Sequence, residues 1–284
     1  MEQTPNEFVY LTHLHKYLGK GPEVVVPNGI EAIESRAFQN NKSIKTVTLP
    51  ASTKYIKNFA FQQCKNLEIL DLSSCENIRE IGVSLFSGCV CLTCIKLPKR
   101  VDEKYKIEIP HQCFAFSSAL ETVDLPDGIV KIDSLAFQEC ESLRRIKLPD
   151  TLQEIGQCVF SGCSSLLEIE LPDSITFIGA NTFQKCTRLT KVKLPSDIRV
   201  ICAHLFEGCT SLTEVTIPDG VEDIVYCAFK ECTSLSEIII PNSVTDIGED
   251  AFRGCKSLSH VYIPGSVEEI GKKAFADCAK GFVL

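Results

Sequence analysis

Tryptophan is absent from the sequence, methionine occurs once and no apolar run approaches the ~18 residues of a membrane span, so membrane insertion is not expected. The first residues, MEQTPNEFVYLTHL, lack a basic segment followed by an apolar one, which predicts no secretory signal and a cytoplasmic location. Acidic residues outnumber basic ones, 37 against 29, and the net charge is −8. Without a basic stripe, this balance argues against a nucleic-acid partner.

Conventional catalysis finds little support in the residues. The sequence has no glycine-rich phosphate loop and no nucleophile beside an evident base, and its carboxylates recur at repeat positions instead of forming one unique pair. The five histidines are scattered along the chain: His13, His15, His111, His204 and His260. The sequence therefore predicts no enzyme, no catalytic residue, no cofactor and no resident metal.

The chain is built on one unit, which reads PDGIVKIDSLAFQECESLRRIKL from Pro126 to Leu148. The next prolines follow at a spacing of 23 residues: Pro149, Pro172, Pro195, Pro218, Pro241 and Pro264. Self-similarity at this period indicates a solenoid, in which each repeat buries its apolar residues against its neighbours. We expect an N-terminal β cap over residues 1–26 and a repeat domain of about eleven turns over residues 27–284.

Three apolar columns set the register of the turns. A phenylalanine stands eleven residues after the proline of a regular unit, an isoleucine five residues before that phenylalanine, and usually a leucine six residues after it. The I-x-L segment that follows alternates apolar and polar residues, which favours a strand, and stacked turns make these strands a parallel sheet. The A-F-x-x-C segment is predicted as a single turn of helix or 3-10 helix. The predicted fold class is therefore an α/β repeat solenoid.

Two insertions interrupt the period, one near residues 74–76 and a longer one near residues 99–105. Insertions in repeat proteins map to surface loops, where binding residues are often found. Lys99, Arg100 and Tyr105 are therefore candidate partner-binding residues. The alternative is a tolerated, merely solvated loop.

Sixteen cysteines are present, and most of them belong to the repeat. Nine stand three residues after the repeat phenylalanine: Cys64, Cys89, Cys140, Cys163, Cys186, Cys209, Cys232, Cys255 and Cys278. Equivalent side chains in stacked turns point the same way, which is poor geometry for disulfides, so we expect a reduced, buried column and a reducing compartment. Cys75, Cys91 and Cys94 leave a remote alternative, a thiol or zinc-binding protein, although a zinc site normally needs more ligands.

The outward positions of the predicted strands form a second set of candidates. Along most of the sheet these positions alternate in sign, which predicts a ladder of exposed ion pairs. Toward the C-terminus the alternation ends, and the residues found there are Glu214, Glu237, Ile239, His260 and Tyr262. Exposed aromatic and aliphatic groups beside carboxylates predict a partner-binding patch. The alternative is an ordinary sheet surface near the end of the solenoid.

The last turn is incomplete, with Gly281 where the strand leucine belongs. An exposed strand edge is a site for pairing with another chain. We therefore consider an end-to-end homodimer through the C-terminal edge as one partner of this chain.

The unit from Ile247 to Leu258, IGEDAFRGCKSL, fits the pattern I-G-x-x-A-F-x-x-C-x-S-L and resembles the BspA-like, or Treponema-type, leucine-rich repeat. The resemblance covers about Pro27 to Leu284. It implies a right-handed superhelix with the parallel sheet on its concave side, no enzymatic activity and, in many members, surface display with adhesion to host or matrix proteins. We expect a non-enzymatic leucine-rich repeat protein that binds an unidentified protein. The alternative is a cell-surface or secreted adhesin.

Overall fold

A computed structural model describes residues 12–279, which form a stack of short coils joined by two parallel ladders. The long-strand ladder contains the I-x-L segments, as predicted. Its strands are Glu23–Val25, Thr46–Thr48, Ile69–Asp71, Cys94–Lys96, Thr122–Asp124, Arg145–Lys147, Lys191–Lys193, Glu214–Thr216, Glu237–Ile239 and His260–Tyr262. All the pairings between them are parallel and in register, so equivalent residues of successive coils lie side by side.

A second ladder, the short-strand ladder, was not predicted from the sequence. Its strands are His13–Leu14, Ala32–Ile33, Tyr55–Ile56, Glu80–Ile81, Glu108–Ile109, Lys131–Ile132, Glu154–Ile155, Phe177–Ile178, Val200–Ile201, Asp223–Ile224, Asp246–Ile247 and Glu269–Ile270. Each contains only two residues, too few for an alternating pattern to show. The invariant isoleucine column is the inward half of this ladder, because the isoleucines of paired strands lie side by side, as Ile132 does with Ile155. This pairing is interrupted between Ile81 and Ile109 and between Ile178 and Ile201.

The α part of the predicted α/β class is wrong. Between residues 12 and 279 the structure has no α-helix, and its helical content is one 3-10 turn, Glu103–Tyr105. The fold is a parallel-strand β-solenoid of stacked coils.

The A-F-x-x-C segment is a series of turns because left-handed residues interrupt it. In every coil the residues two before and two after the repeat phenylalanine have positive φ, for example Leu135 at 64° and Glu139 at 55°. The amides of Leu135, Phe137 and Glu139 donate to carbonyls of the next coil, whereas those of Gln138 and Cys140 donate to carbonyls three residues back. A helix requires consecutive right-handed residues, so this alternation excludes one.

The phenylalanines stack face to face through the centre of the solenoid. From Phe38 to Phe275 successive ring centroids lie 4.7–5.8 Å apart, with interplanar angles of 3–24°. The isoleucine and leucine columns pack around this stack and are buried almost throughout. Burying aromatic rings in this continuous stack supplies a large part of the hydrophobic stabilisation.

The cysteine column is buried, and it is also hydrogen-bonded. The Sγ of each member donates to the carbonyl of the repeat phenylalanine one coil earlier, at 3.0–3.4 Å. In one coil Ser117 takes this position, and its Oγ donates to the Phe86 carbonyl at 3.0 Å. Asn41 holds the equivalent position after Phe38, where its Oδ1 accepts from the Ser43 and Ile44 amides instead. From Cys64 onward the position holds a small side chain with a donor, which explains why serine can replace cysteine there.

The described part of the predicted cap, residues 12–26, continues both ladders. Leu14 pairs with Ile33 on one ladder and Val24 with Val47 on the other. The Tyr17 ring stacks on Phe38 with centroids 5.1 Å apart, which extends the aromatic stack by one ring. Residues 1–11 of the predicted cap and the irregular end at Gly281 lie outside the described residues, and the domain boundary after residue 26 stays a prediction.

The long-strand ladder is divided into three sections. Six strands, up to Arg145–Lys147, form the first section, and two strands form each of the others. Residues 168–170 form one isolated bridge, from Glu168 to Lys191, where a strand would join the sections. The last section, Glu237–Ile239 with His260–Tyr262, contains the candidate patch.

Candidate protein-binding surface

The outer face of the long-strand ladder is largely neutralised by ion pairs between neighbouring coils. The four pairs on or beside this face are Lys45 with Glu68 at 2.8 Å, Asp71 with Lys96 at 3.2 Å, Asp124 with Arg145 at 2.8 Å, and Lys191 with Glu214 at 2.6 Å. Their side chains are mostly exposed, so each pair contributes ~0–1 kcal/mol to stability. Their main effect is to leave little net charge on this part of the surface.

The C-terminal section of the same face is different because it exposes two large apolar side chains next to each other. Ile239 and Tyr262 lie directly opposite each other on paired strands and are 73% and 61% exposed. On the same two strands, Glu237 and His260 also point outward and lie opposite each other. The middle residues of the strands, Ile238 and Val261, point inward, as strand alternation requires. An open groove of about 460 Å³ runs along these two strands. Such a patch of adjacent apolar groups is typical of protein-binding surfaces.

Four of the five predicted patch residues lie on these two strands, and the fifth is one coil earlier. Glu214 precedes Glu237 in the same row, but its carboxylate is held by Lys191. Within residues 12–279, Glu237 makes no ion pair. The neighbouring imidazole, that of His260, lies 2.9 Å from the Ser259 hydroxyl, Nδ1 to Oγ. The patch, defined from here on as Glu237, Ile239, His260 and Tyr262, thus combines an apolar row with one unpaired carboxylate.

The second predicted region, around Lys99, Arg100 and Tyr105, is a separate surface. It begins six coils before the patch, or roughly 30 Å away at ~4.8 Å a coil. Arg100 pairs with Glu103 at 2.8 Å, and the Asp102 carboxylate accepts from the Lys104 amide at the start of the 3-10 turn.

Tyr105 within this loop packs against the core and is not free on the surface. The Arg79 guanidinium lies 5.0 Å from the centre of its ring. A cation over an aromatic face at this distance is a stabilising contact within the chain. Of the three predicted loop residues, Lys99 and Arg100 are therefore the ones that present side chains to solvent.

Sequence reasoning missed a groove on the short-strand ladder, because it missed that ladder. The groove has a volume of about 630 Å³ and Gly248 and Gly271 in its floor. Asp223, Asp246 and Glu269 form one wall. A signal was present in the sequence, since glycine recurs four residues before the repeat phenylalanine in several coils. At Gly248 a Cβ atom would collide with the backbone of Tyr226, so the glycine lets the coils approach closely.

The cysteines outside the column differ in exposure. All sixteen cysteines are unpaired; Cys91 is exposed and Cys94 half-buried, but Cys75 is buried, and burial raises the pKa of its thiol to about 11. No group of three or more His, Cys, Asp and Glu side chains within residues 12–279 is arranged to hold a metal ion. Over the same residues, no helix is long and apolar enough to cross a membrane.

Comparisons with known proteins agree on the repeat. Six copies of the repeat described as "BspA type Leucine rich repeat region" match residues 16–106, 107–235 and 178–281. No curated protein matches the chain.

Three solved structures that share the fold come from bacteria. A leucine-rich repeat protein from Bacteroides ovatus is 25% identical, with 97% of this chain and 89% of that one covered and a TM-score of 0.59. A leucine rich cell surface protein from Faecalibacterium prausnitzii is 22% identical over the same shares, with a TM-score of 0.58. A leucine-rich repeat protein from Eubacterium ventriosum is 19% identical, covering 94% and 88%, with a TM-score of 0.60.

Proposed function

The chain belongs to the BspA-type leucine-rich repeat family, and from that membership we propose that it is a non-enzymatic protein-binding module whose patch contacts the partner. Leucine-rich repeat proteins generally present a regular sheet to other proteins. The observation that carries the proposal is the pairing of Ile239 with Tyr262, 73% and 61% exposed on adjacent strands.

The patch differs from the rest of its sheet in a way that favours binding. Along the earlier coils six outward charges of the strands are held in ion pairs, so a partner would have to displace or desolvate them. Four others, Lys147, Glu168, Glu170 and Lys193, are exposed without an ion pair among residues 12–279, but no exposed apolar side chain lies beside them in the same row. At the patch, a partner can instead cover apolar surface whose burial is favourable by ~25 cal/mol per Å². Large rigid side chains such as Tyr262 are the type that anchors protein interfaces. In a superhelix with this sheet on the concave side, the patch lines the inner surface.

The proposal is tested by comparing what wild-type and variant chains retain. The variant Ile239→Ser/Tyr262→Ala removes the patch, and the control Val25→Ser/Phe177→Ser removes two apolar groups of similar exposure, 60% and 49%, elsewhere. Immobilised chains are incubated with an extract of source cells, and retained proteins are quantified by mass spectrometry. We expect a protein retained by wild type and control but lost from the patch variant. Equal retention by all three chains contradicts the proposal.

Cellular location decides where the partner is to be sought. Mild protease treatment of intact source cells, followed by mass spectrometry of the released peptides, distinguishes a cytoplasmic protein from one displayed on the cell surface. Peptides of this chain that appear only after lysis support a cytoplasmic partner. Release from intact cells favours the adhesin alternative, with the same patch presented to host or matrix proteins.

A further inference from the structure

The patch carries a charge that its own chain does not neutralise. On the long-strand ladder, Glu214 is paired with Lys191, whereas Glu237 has no Lys or Arg partner within residues 12–279. The outward strand positions from Glu214 to Tyr262 include neither lysine nor arginine. His260 is the register partner of Glu237 on the neighbouring strand, so a lysine or arginine that pairs with Glu237 at this surface has to come from a binding partner.

Strand geometry fixes the spacing between this charge and the apolar row. Glu237 and Ile239 are two residues apart on one strand with their side chains on the same face, so they are separated by about 7 Å. Tyr262 lies beside Ile239, one strand spacing of ~4.8 Å away. An extended peptide repeats its side chains on one face at the same two-residue distance, which is about 7 Å.

This match of spacing and charge identifies the type of partner segment. Building on the proposed function, we propose that the patch binds an extended protein segment carrying a lysine or arginine two positions from a large apolar residue. The cation pairs with the Glu237 carboxylate, and the apolar side chain packs against Ile239 and Tyr262. Because Glu237 lies at the rim of the apolar row, the pair orients the segment while the apolar contact supplies most of the affinity.

The experiment selects random linear peptides displayed on phage against the immobilised full chain, and measures the affinity of the enriched peptide by fluorescence anisotropy. We expect enriched sequences with Lys or Arg two positions from an aromatic or aliphatic residue. Glu237→Gln should weaken binding about fivefold and reduce its salt dependence. Glu269→Gln, which removes an exposed carboxylate from the other ladder by the same substitution, is the matched control and should leave the affinity unchanged.

The outcomes separate this inference from the proposed function. Peptides that lose binding in Ile239→Ser/Tyr262→Ala but keep full affinity in Glu237→Gln overturn the inference and leave the proposed function standing. If Glu269→Gln weakens binding as much as Glu237→Gln does, the attraction is a general effect of the acidic chain, and the inference is again overturned. A selection that enriches no peptide dependent on Ile239 and Tyr262 contradicts both.

Discussion

Replacing one buried cysteine tests whether the column is held by its hydrogen bonds or by apolar burial alone. Cys163 is fully buried, and its Sγ donates to the Phe137 carbonyl at 3.2 Å. That carbonyl also accepts from the Cys140 amide, so it keeps one hydrogen bond when the thiol is removed. Loss of the thiol bond itself should therefore contribute only ~0.5–1 kcal/mol, and not the larger cost of an unsatisfied carbonyl.

The three informative substitutions differ in which part of the interaction they keep. Cys163→Ser keeps a donor at the site where Ser117 makes the same bond in another coil, so we expect a loss of about 1 kcal/mol or less. Cys163→Ala loses both the donor and the volume of the sulfur, about 1.5–2.5 kcal/mol. Cys163→Val loses the donor and overpacks the column, about 1–3 kcal/mol.

Free energies of unfolding measured by urea denaturation give the order directly, provided that the slope m is unchanged. The reverse substitution is the control: Ser117→Cys should be tolerated, whereas Ser117→Ala should destabilise the protein. If serine at position 163 is more destabilising than alanine and valine, apolar burial governs the column and the hydrogen-bond interpretation is refuted.

Three further predictions follow from the same packing. Titration of the native protein with a thiol reagent at mildly alkaline pH should modify Cys91 and Cys94 first. Burial shields the column thiols from the reagent and raises their pKa, to about 12 for Cys64. Rapid reaction of most thiols before unfolding would contradict this prediction. Gly248→Ala should lower the free energy of unfolding by about 2 kcal/mol or more, because the new Cβ atom collides with the Tyr226 backbone. The control Gly265→Ala has open space around it and should be near neutral. Equal effects of the two substitutions in calorimetry would count against close packing of the coils. Phe160→Ala should lower the free energy of unfolding by about 3–5 kcal/mol, because this ring is fully buried within the stack. Phe275 is only partly buried, so Phe275→Ala should lower it clearly less. A larger loss for Phe275→Ala in denaturant unfolding would contradict the role given to the buried part of the aromatic stack.

The period and the core could be predicted because every coil repeats them. Phe137 and its equivalents, the isoleucine column and the I-x-L strands all lie where the sequence pattern places them. The predicted helical turn failed for a local reason: Leu135 and Glu139 adopt left-handed conformations, which no composition rule marks in residues of these types. The short-strand ladder was not predicted because its two-residue strands depend on hydrogen bonds between coils, which sequence alone does not show.

The candidate site was also predicted in part: the outward positions followed from the sequence, but the contacts between coils did not. Strand alternation was enough to place Ile239 and Tyr262 on the outer face, and the in-register pairing of the coils puts them side by side. Side-chain contacts between coils were harder to predict. The Glu214 carboxylate pairs with Lys191 of the preceding coil, and Arg79 of an earlier coil lies over the Tyr105 ring. Contacts between coils thus decide which predicted residues remain available to a partner.

Site-specific photo-crosslinking tests the account's central claim that the C-terminal section of the long-strand ladder contacts the partner. A benzophenone amino acid is placed singly at four exposed apolar positions: Val25, Phe177, Ile239 and Tyr262. Each chain is irradiated with an extract of source cells, and crosslinked proteins are identified by mass spectrometry. The account predicts one protein crosslinked from positions 239 and 262 and not from 25 or 177. Crosslinking of that protein from position 25 or 177 alone would contradict it.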